Sequence, residues 1–130
     1  MDDWADVARH FSGGAVAHLA TLQQDGSPRV TPVWVDLEGR DVVFFAEEAS
    51  LNARNVARDP RVALSMTAPA QPLDMASVRG KVIERIDGDR AMEVVDRLSR
   101  KYTGGGFSQR SGLVAFVMRP SAWSARDYSG

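Results

Sequence analysis

The chain has 130 residues, 44% hydrophobic and 25% charged, which suits one globular domain and neither a disordered nor a membrane-embedded protein. Sixteen Lys and Arg against seventeen Asp and Glu give a net charge of −1, so no basic excess exists to release counterions from a phosphate backbone, which argues against nucleic-acid binding. The absence of Cys excludes disulfides and thiolate chemistry, and the two His, His10 and His18, are too few for a dedicated metal site. No apolar run approaches the ~18 residues of a membrane span. The start MDDWADVARH has neither the basic opening nor the apolar centre of a signal peptide, so the expected location is the cytoplasm.

In chain order, residues 2–12 place Trp4, Val7, Ala8 and Phe11 at helical spacing, and Gly13-Gly14 ends that helix. His10 reads as a surface residue of this helix. Residues 15–22 and 29–37 are β-rich runs joined by a hairpin turn at Asp25-Gly26. Pro32 cannot donate a ladder hydrogen bond, so its strand is expected at an edge or bulged. His18 reads as a packed or edge histidine. Residues 41–46, DVVFFA, are apolar on both faces and should be buried on both. Ser50 to Arg58 predicts one short helix capped by Ser50 and closed before Asp59-Pro60. A strand over 61–66 and an exposed loop over the proline-containing TAPAQPLD follow. Next come a long strand over 76–86, with Val78, Gly80, Val82 and Glu84 on one face, and a helix from Asp87 to Tyr102. Its stripe is Ala91, Val94, Val95, Leu98 and Tyr102, and Asp87 and Asp89 are its capping acids. Gly104-Gly105-Gly106 reads as a flexible hinge flanked by Lys101 and Arg110, able to close over a ligand. The last strand covers 112–118, followed by a tail. About six strands and three helices, linked by hairpins rather than βαβ crossovers, favour a single domain over 1–130 built as an antiparallel barrel with peripheral helices.

No G-x-S-x-G elbow or metal-ligand spacing is present. The segment from Ser50 to Arg61 is the most informative. A helix N-terminus with a hydroxyl and Arg54 within a turn holds the ingredients for a phosphate or carboxylate. The same residues also read as an ordinary cap with Arg54 and Arg58 on a solvated face, and Glu47 and Glu48 lie just upstream. The strand interrupted at Pro32 leaves backbone groups able to bond the polar edge of a flat heterocycle, or serves as a protected edge. Trp34 and Trp123 read as stacking surfaces or as core aromatics.

Four ordered segments, AHLATLQQDGSPRVTPVWVD (17–36), ARNVARDPRVALSM (53–66), VRGKVIERI (78–86) with the helix ending DRLSRKYTG, and a final strand followed by Arg-Pro, resemble the pyridoxamine 5'-phosphate oxidase-like split-barrel proteins. Within them the chain resembles the actinobacterial branch that depends on the deazaflavin coenzyme F420. The resemblance implies a mostly β protein, a six-stranded antiparallel split β-barrel of the FMN-binding type. It implies a homodimer with the cofactor groove between subunits and a small-molecule substrate. Thr31, Pro32, Val33 and Trp34 inherit contact with the cofactor ring, and Ser50, Asn52, Arg54, Asn55 and Arg58 its phosphate. Arg79 is a further groove candidate, and Trp123 and Arg126 are candidates from the partner subunit. The family's Ser-x-Lys pattern is here Ser50, Leu51 and Asn52, so a neutral amide replaces the lysine and Arg54 or Arg58 must supply the charge. The implied activity is hydride transfer from reduced coenzyme F420 to an electron-poor unsaturated or quinone-like compound, with no catalytic side chain assigned. An FMN-dependent enzyme of the same fold and a non-catalytic cofactor carrier are the alternatives.

Overall fold

Antiparallel pairing links every strand of the computed structural model, which describes residues 2–130. In chain order the elements are α1 (Trp4–Ser12), β1 (Ala17–Leu22), β2 (Pro28–Val33), β3 (Asp36–Glu38), β4 (Asp41–Glu47), α2 (Leu51–Arg58), β5 (Arg61–Ala68), β6 (Gln71–Ile86), α3 (Gly88–Thr103) and β7 (Leu113–Asp127). The seven strands form one sheet in the order β2-β1-β5-β6-β7-β4-β3. The architecture is the expected mostly β split barrel with three helices, but it has seven strands rather than six and the sheet is not closed.

The extra strand arises where one run was expected over 29–37. That run is broken at Trp34-Val35, and its halves, β2 and β3, lie at opposite edges of the sheet. In a flat sheet those edges would lie about 29 Å apart, six spacings of ~4.8 Å. The chain from Val33 to Asp36 reaches only ~11 Å. The sheet must therefore curl until its edges approach, and the two residues between the half-strands sit at the seam. Pro32 lies in edge strand β2 opposite His18 of β1, so its missing donor costs no ladder bond on a second side. His18 is exposed on a strand paired on both sides, neither packed nor at an edge.

Curling gives the sheet an inside and an outside. Leu19, Phe44, Leu64, Val78, Phe116 and Met118 fill the inside, where Val7 and Phe11 of α1 also pack. Val43, Ile86, Ala115 and Val117 point the other way, under Ala91 and Leu98 of α3. The middle of β4 and the first part of β7, Leu113 to Met118, are thus buried on both faces, which is why DVVFFA carries no polar alternation.

Several local expectations are corrected. TAPAQPLD is no exposed loop: β5 and β6 run into it and meet at a tight turn over Pro69 and Ala70. The tail after 118 continues β7 to Asp127, paired with β6 down to Asp74. A register shift between Val82 and Glu84 breaks the alternation, so Glu84 is exposed. A second shift falls at Gly80, where a Cβ would lie 2.1 Å from the Arg119 carbonyl oxygen. Only glycine fits that crossing. Asp87 does not cap α3 with its side chain but accepts from Arg85 Nε at 3.0 Å. Gly104 is a left-handed helix cap with φ of 86° rather than a free hinge. No helix among the described residues is long and apolar enough to cross a membrane.

Candidate functional site

The seam residues Trp34 and Val35 are held from α3. Tyr102 Oη accepts from Val35 N at 3.3 Å and donates to Ala15 O at 2.6 Å. Lys101 Nζ donates to Val35 O at 2.6 Å and to Phe11 O, with the Asp36 carboxylate 3.6 Å away. Two adjacent side chains at the end of one helix thus join α1, the entry to β1 and the β2–β3 connection. Burial pushes the Lys101 ammonium below its ordinary value, opposed by Asp36, and pushes the Tyr102 hydroxyl up, so Tyr102 stays protonated as a donor.

Fixing Val35 orients Trp34. Its indole stacks on Tyr102 at 5.4 Å and 7°, and meets the edges of Phe45 and Phe107, each at 6.0 Å. On the open side lies a cleft of about 470 Å³ lined by Val16, Pro32, Val33, Trp34, Phe45 and Phe107. That volume suits a small molecule, and the lining is apolar apart from backbone, as a planar ring requires. Three residues expected at a cofactor ring, Pro32, Val33 and Trp34, are therefore assembled here. Phe45 and Phe107 were not anticipated: Phe45 read as core and Phe107 lies beyond the glycines. Only the tertiary fold unites them.

Thr31, on the face of β2 opposite Pro32, accepts from Asn52 Nδ2 of α2 at 2.8 Å, while Asn52 Oδ1 is buried without a partner. Ser50 Oγ caps its own helix, accepting from Ala53 N at 3.1 Å. Asn55 is buried and donates to Thr21 Oγ1 and Gln23 Oε1, each at 3.0 Å. Arg58 donates to Leu22 O at 2.7 Å and Asn55 Oδ1 at 2.9 Å. Asn55 and Arg58 thus clamp α2 to the β1–β2 hairpin. Arg54 is exposed and makes no side-chain hydrogen bond or ion pair among the described residues. It lines a groove of about 490 Å³ with Gln23, Gln24, Asp25, Leu51, Asn55 and Arg58. Of the two candidates for the missing lysine's charge, only Arg54 is uncommitted. Sequence reasoning missed Arg29. It is opposite Thr21, on the same face of β2 as Thr31, and its Nε is buried with no partner. Its two-residue spacing from Thr31 was the available signal.

The remaining candidates lie elsewhere. Arg79 faces a different groove, on the outer side of β5 and β6. Trp123 packs within its own chain, edge-on to Trp4 at 5.0 Å, with Nε1 donating to Asp2 O at 2.6 Å. Arg126 bonds Asp2 at 2.9 Å. Arg110 is bound to Asp96 through both oxygens, at 2.7 and 3.0 Å, and holds that carboxyl down to about 2. Neither Lys101 nor Arg110 is available to close a loop. His10 is buried rather than on the surface: Nε2 lies 3.1 Å from Asp74 Oδ1, and Arg9 grips the same carboxylate at 2.7 and 3.0 Å. That cluster ties α1 to β6. Among the described residues no group of three His, Cys, Asp or Glu could hold a metal ion.

Residues 7–127 match the model of the family described as pyridoxamine 5'-phosphate oxidase. Among solved structures, the fold matches an F420 reductase at 28% identity and a TM-score of 0.80, over 89% of this chain and 94% of that one. A conserved hypothetical protein from Mycobacterium tuberculosis matches at 19% identity and a TM-score of 0.78, covering 99% and 87% of the two chains. General Stress Protein 26 from Bacillus anthracis matches at 13% identity and a TM-score of 0.74, covering 95% and 92%. The last two speak to the fold alone. A search of curated protein sequences finds no match.

Proposed function

This chain belongs to the pyridoxamine 5'-phosphate oxidase family, and on that premise we propose that it is an oxidoreductase using reduced coenzyme F420 to transfer a hydride to an electron-poor unsaturated or quinone-like small molecule. The likeness to the F420 reductase over nearly the whole chain carries the reading.

The residues present fit such a cofactor. Pro32, Val33 and the Trp34–Phe45–Phe107 wall line an open apolar cleft suited to a planar ring. Toward α2, Arg54 offers a charge with no protein partner, Arg29 a buried donor, and Asn52 a buried acceptor for a hydroxyl. When bound, coenzyme F420 supplies the hydride from its ring carbon. The protein orients the ring, anchors its charged arm and excludes water. No side chain lining the cleft titrates, and the nearby Tyr102 proton is committed to Ala15 O. The proton that completes a two-electron reduction therefore comes from solvent. The reading includes a homodimer whose partner covers the cleft's rim, where Val16 is 44% exposed.

The test is a fluorescence titration of the protein with oxidised coenzyme F420, followed by competition with FMN. Micromolar or tighter F420 binding that FMN displaces poorly is expected. Tight FMN binding instead transfers the same site to flavin chemistry, and binding of neither refutes the proposal. Bound reduced cofactor that is never oxidised by any acceptor identifies a carrier. Light scattering on the eluting protein reads the dimer.

A further inference from the structure

A third groove belongs to neither the aromatic cleft nor the α2 face. It encloses about 580 Å³ on the outer side of the sheet, and three of its lining side chains are the cations Arg61, Arg79 and Lys81. None of its lining residues is shared with the other two depressions. No acidic residue lines it, although the chain as a whole carries a net charge of −1.

The strand register makes this clustering costly. Lys81 of β6 lies directly opposite Arg61 on β5 and directly opposite Arg119 on β7. Side chains so paired have Cβ atoms only ~4.5–5.5 Å apart, and like charges placed there destabilise a sheet. The two flanking guanidiniums have their own carboxylates: Arg61 is bound to Asp59 at 2.8 and 3.1 Å, and Arg119 to Asp41 at 3.1 Å through both oxygens. Lys81 has no ion-pair partner among the described residues, and neither does Arg79, two positions back on the same face. The sheet thus sets two uncompensated cations side by side in a concave surface.

Gly80 lies between the two cations in the strand and faces the opposite side, against the Arg119 backbone of β7. The irregularity there leaves Ser121 of β7 beside the groove, with Oγ bonded to Arg79 O at 3.3 Å. Ala20, Leu22, Pro28, Ala63 and Ala122 line the rest of the groove.

We infer that this groove binds a small polyanion, a molecule with two or more clustered phosphate or carboxylate charges. Two unpartnered cations can each form a charge-assisted bond to such a ligand, which also relieves their mutual repulsion. A volume of about 580 Å³ lies in the range of small-molecule sites. The inference does not rest on the identity of the redox cofactor.

The experiment is calorimetric titration of the full chain, without redox cofactor, at low ionic strength. Inorganic pyrophosphate and citrate are the probes. Wild type is compared with the double variant Arg79→Gln/Lys81→Gln and with a charge-matched control, Arg40→Gln/Arg100→Gln, altered at exposed positions outside the groove. Saturable binding by wild type and control, weakened about tenfold or more in the groove variant, is expected. Pyrophosphate bound in preference to citrate assigns phosphate chemistry, and equal binding assigns clustered charge alone. Without a probe, the groove variant should unfold about 1–4 °C higher than wild type at low salt, because like-charge repulsion is gone. The inference is overturned if neither probe saturates, or if the groove variant, folded by its thermal transition, binds as wild type does.

Discussion

Replacing Lys101 by Met tests whether the seam of the barrel is held from α3. Lys101 Nζ serves the carbonyls of Val35 and Phe11, both in fully buried residues, and faces Asp36 at 3.6 Å. Methionine fills a similar volume but donates nothing, so Phe11 O loses its side-chain donor and Val35 O keeps only the longer contact to Tyr102 Oη at 3.3 Å. Each unsatisfied buried group costs about 1–3 kcal/mol. Against this stands relief from desolvating an ammonium whose side chain is only 14% exposed. The Asp36 carboxylate is wetter and contributes little. The net expectation is a loss of about 2–4 kcal/mol, a large share of a typical 5–15 kcal/mol stability. Tyr102→Phe, which removes the donor to Ala15 O and the acceptor of Val35 N, should cost about 1–3 kcal/mol. The assay is urea unfolding followed by tryptophan fluorescence, with the midpoint shifting at constant m. Trp34 emission should change in the folded variant as well, since its neighbour Val35 loses its anchor. A Lys101→Met protein within about 0.5 kcal/mol of wild type would refute the idea that this ammonium holds the seam.

Asp96 sits near 2 in the fold against an ordinary 3.8, chiefly through its hydrogen bonds from Arg110. Its contribution is therefore complete above 3.8 and is lost as pH falls through 3.8 toward 2. Asp96→Asn should flatten the acid limb of the stability profile over that window, and thermal midpoints measured from pH 5 downward check it. Arg54→Ala should weaken cofactor binding by about 1.5–3 kcal/mol in the fluorescence titration without lowering stability; unchanged affinity would move the anchor to Arg29. Asn52→Lys should tighten the same binding if the family lysine is a true deficit, and no gain would mean the site is satisfied otherwise. Gly80→Ala should cost about 1–3 kcal/mol or more in urea unfolding, because the added Cβ meets the Arg119 carbonyl oxygen at 2.1 Å and backbone must move.

Local signals were legible wherever physics within a few residues decides the outcome. Asp25-Gly26 turned the first hairpin, Ser50 capped α2, and the stripe on α3 buried Ala91, Val95 and Leu98 as its spacing required. Pro32 announced an edge strand for a local reason, the missing donor. The failures have a common cause too. Nothing within residues 29–37 reveals that the run breaks at Trp34, because the break serves contacts with Lys101 and Tyr102, which lie more than sixty residues downstream. His10 looked like a solvated helix residue until Asp74 arrived from β6.

The sequence by itself determined the fold class, the helices and the residue types that a cofactor site would draw on, because periodicity, capping and turn chemistry act over short range. The family resemblance came from the same ordered segments. Only the tertiary structure decided which of those residues share a site. It put Phe45 and Phe107 against Trp34, left Arg54 uncommitted while Asn55 and Arg58 became clamps, and moved Arg79 into a separate groove. The physical reason is that a curled sheet fixes neighbours by strand order and register, and both are set by burial summed over the whole chain rather than by any one segment.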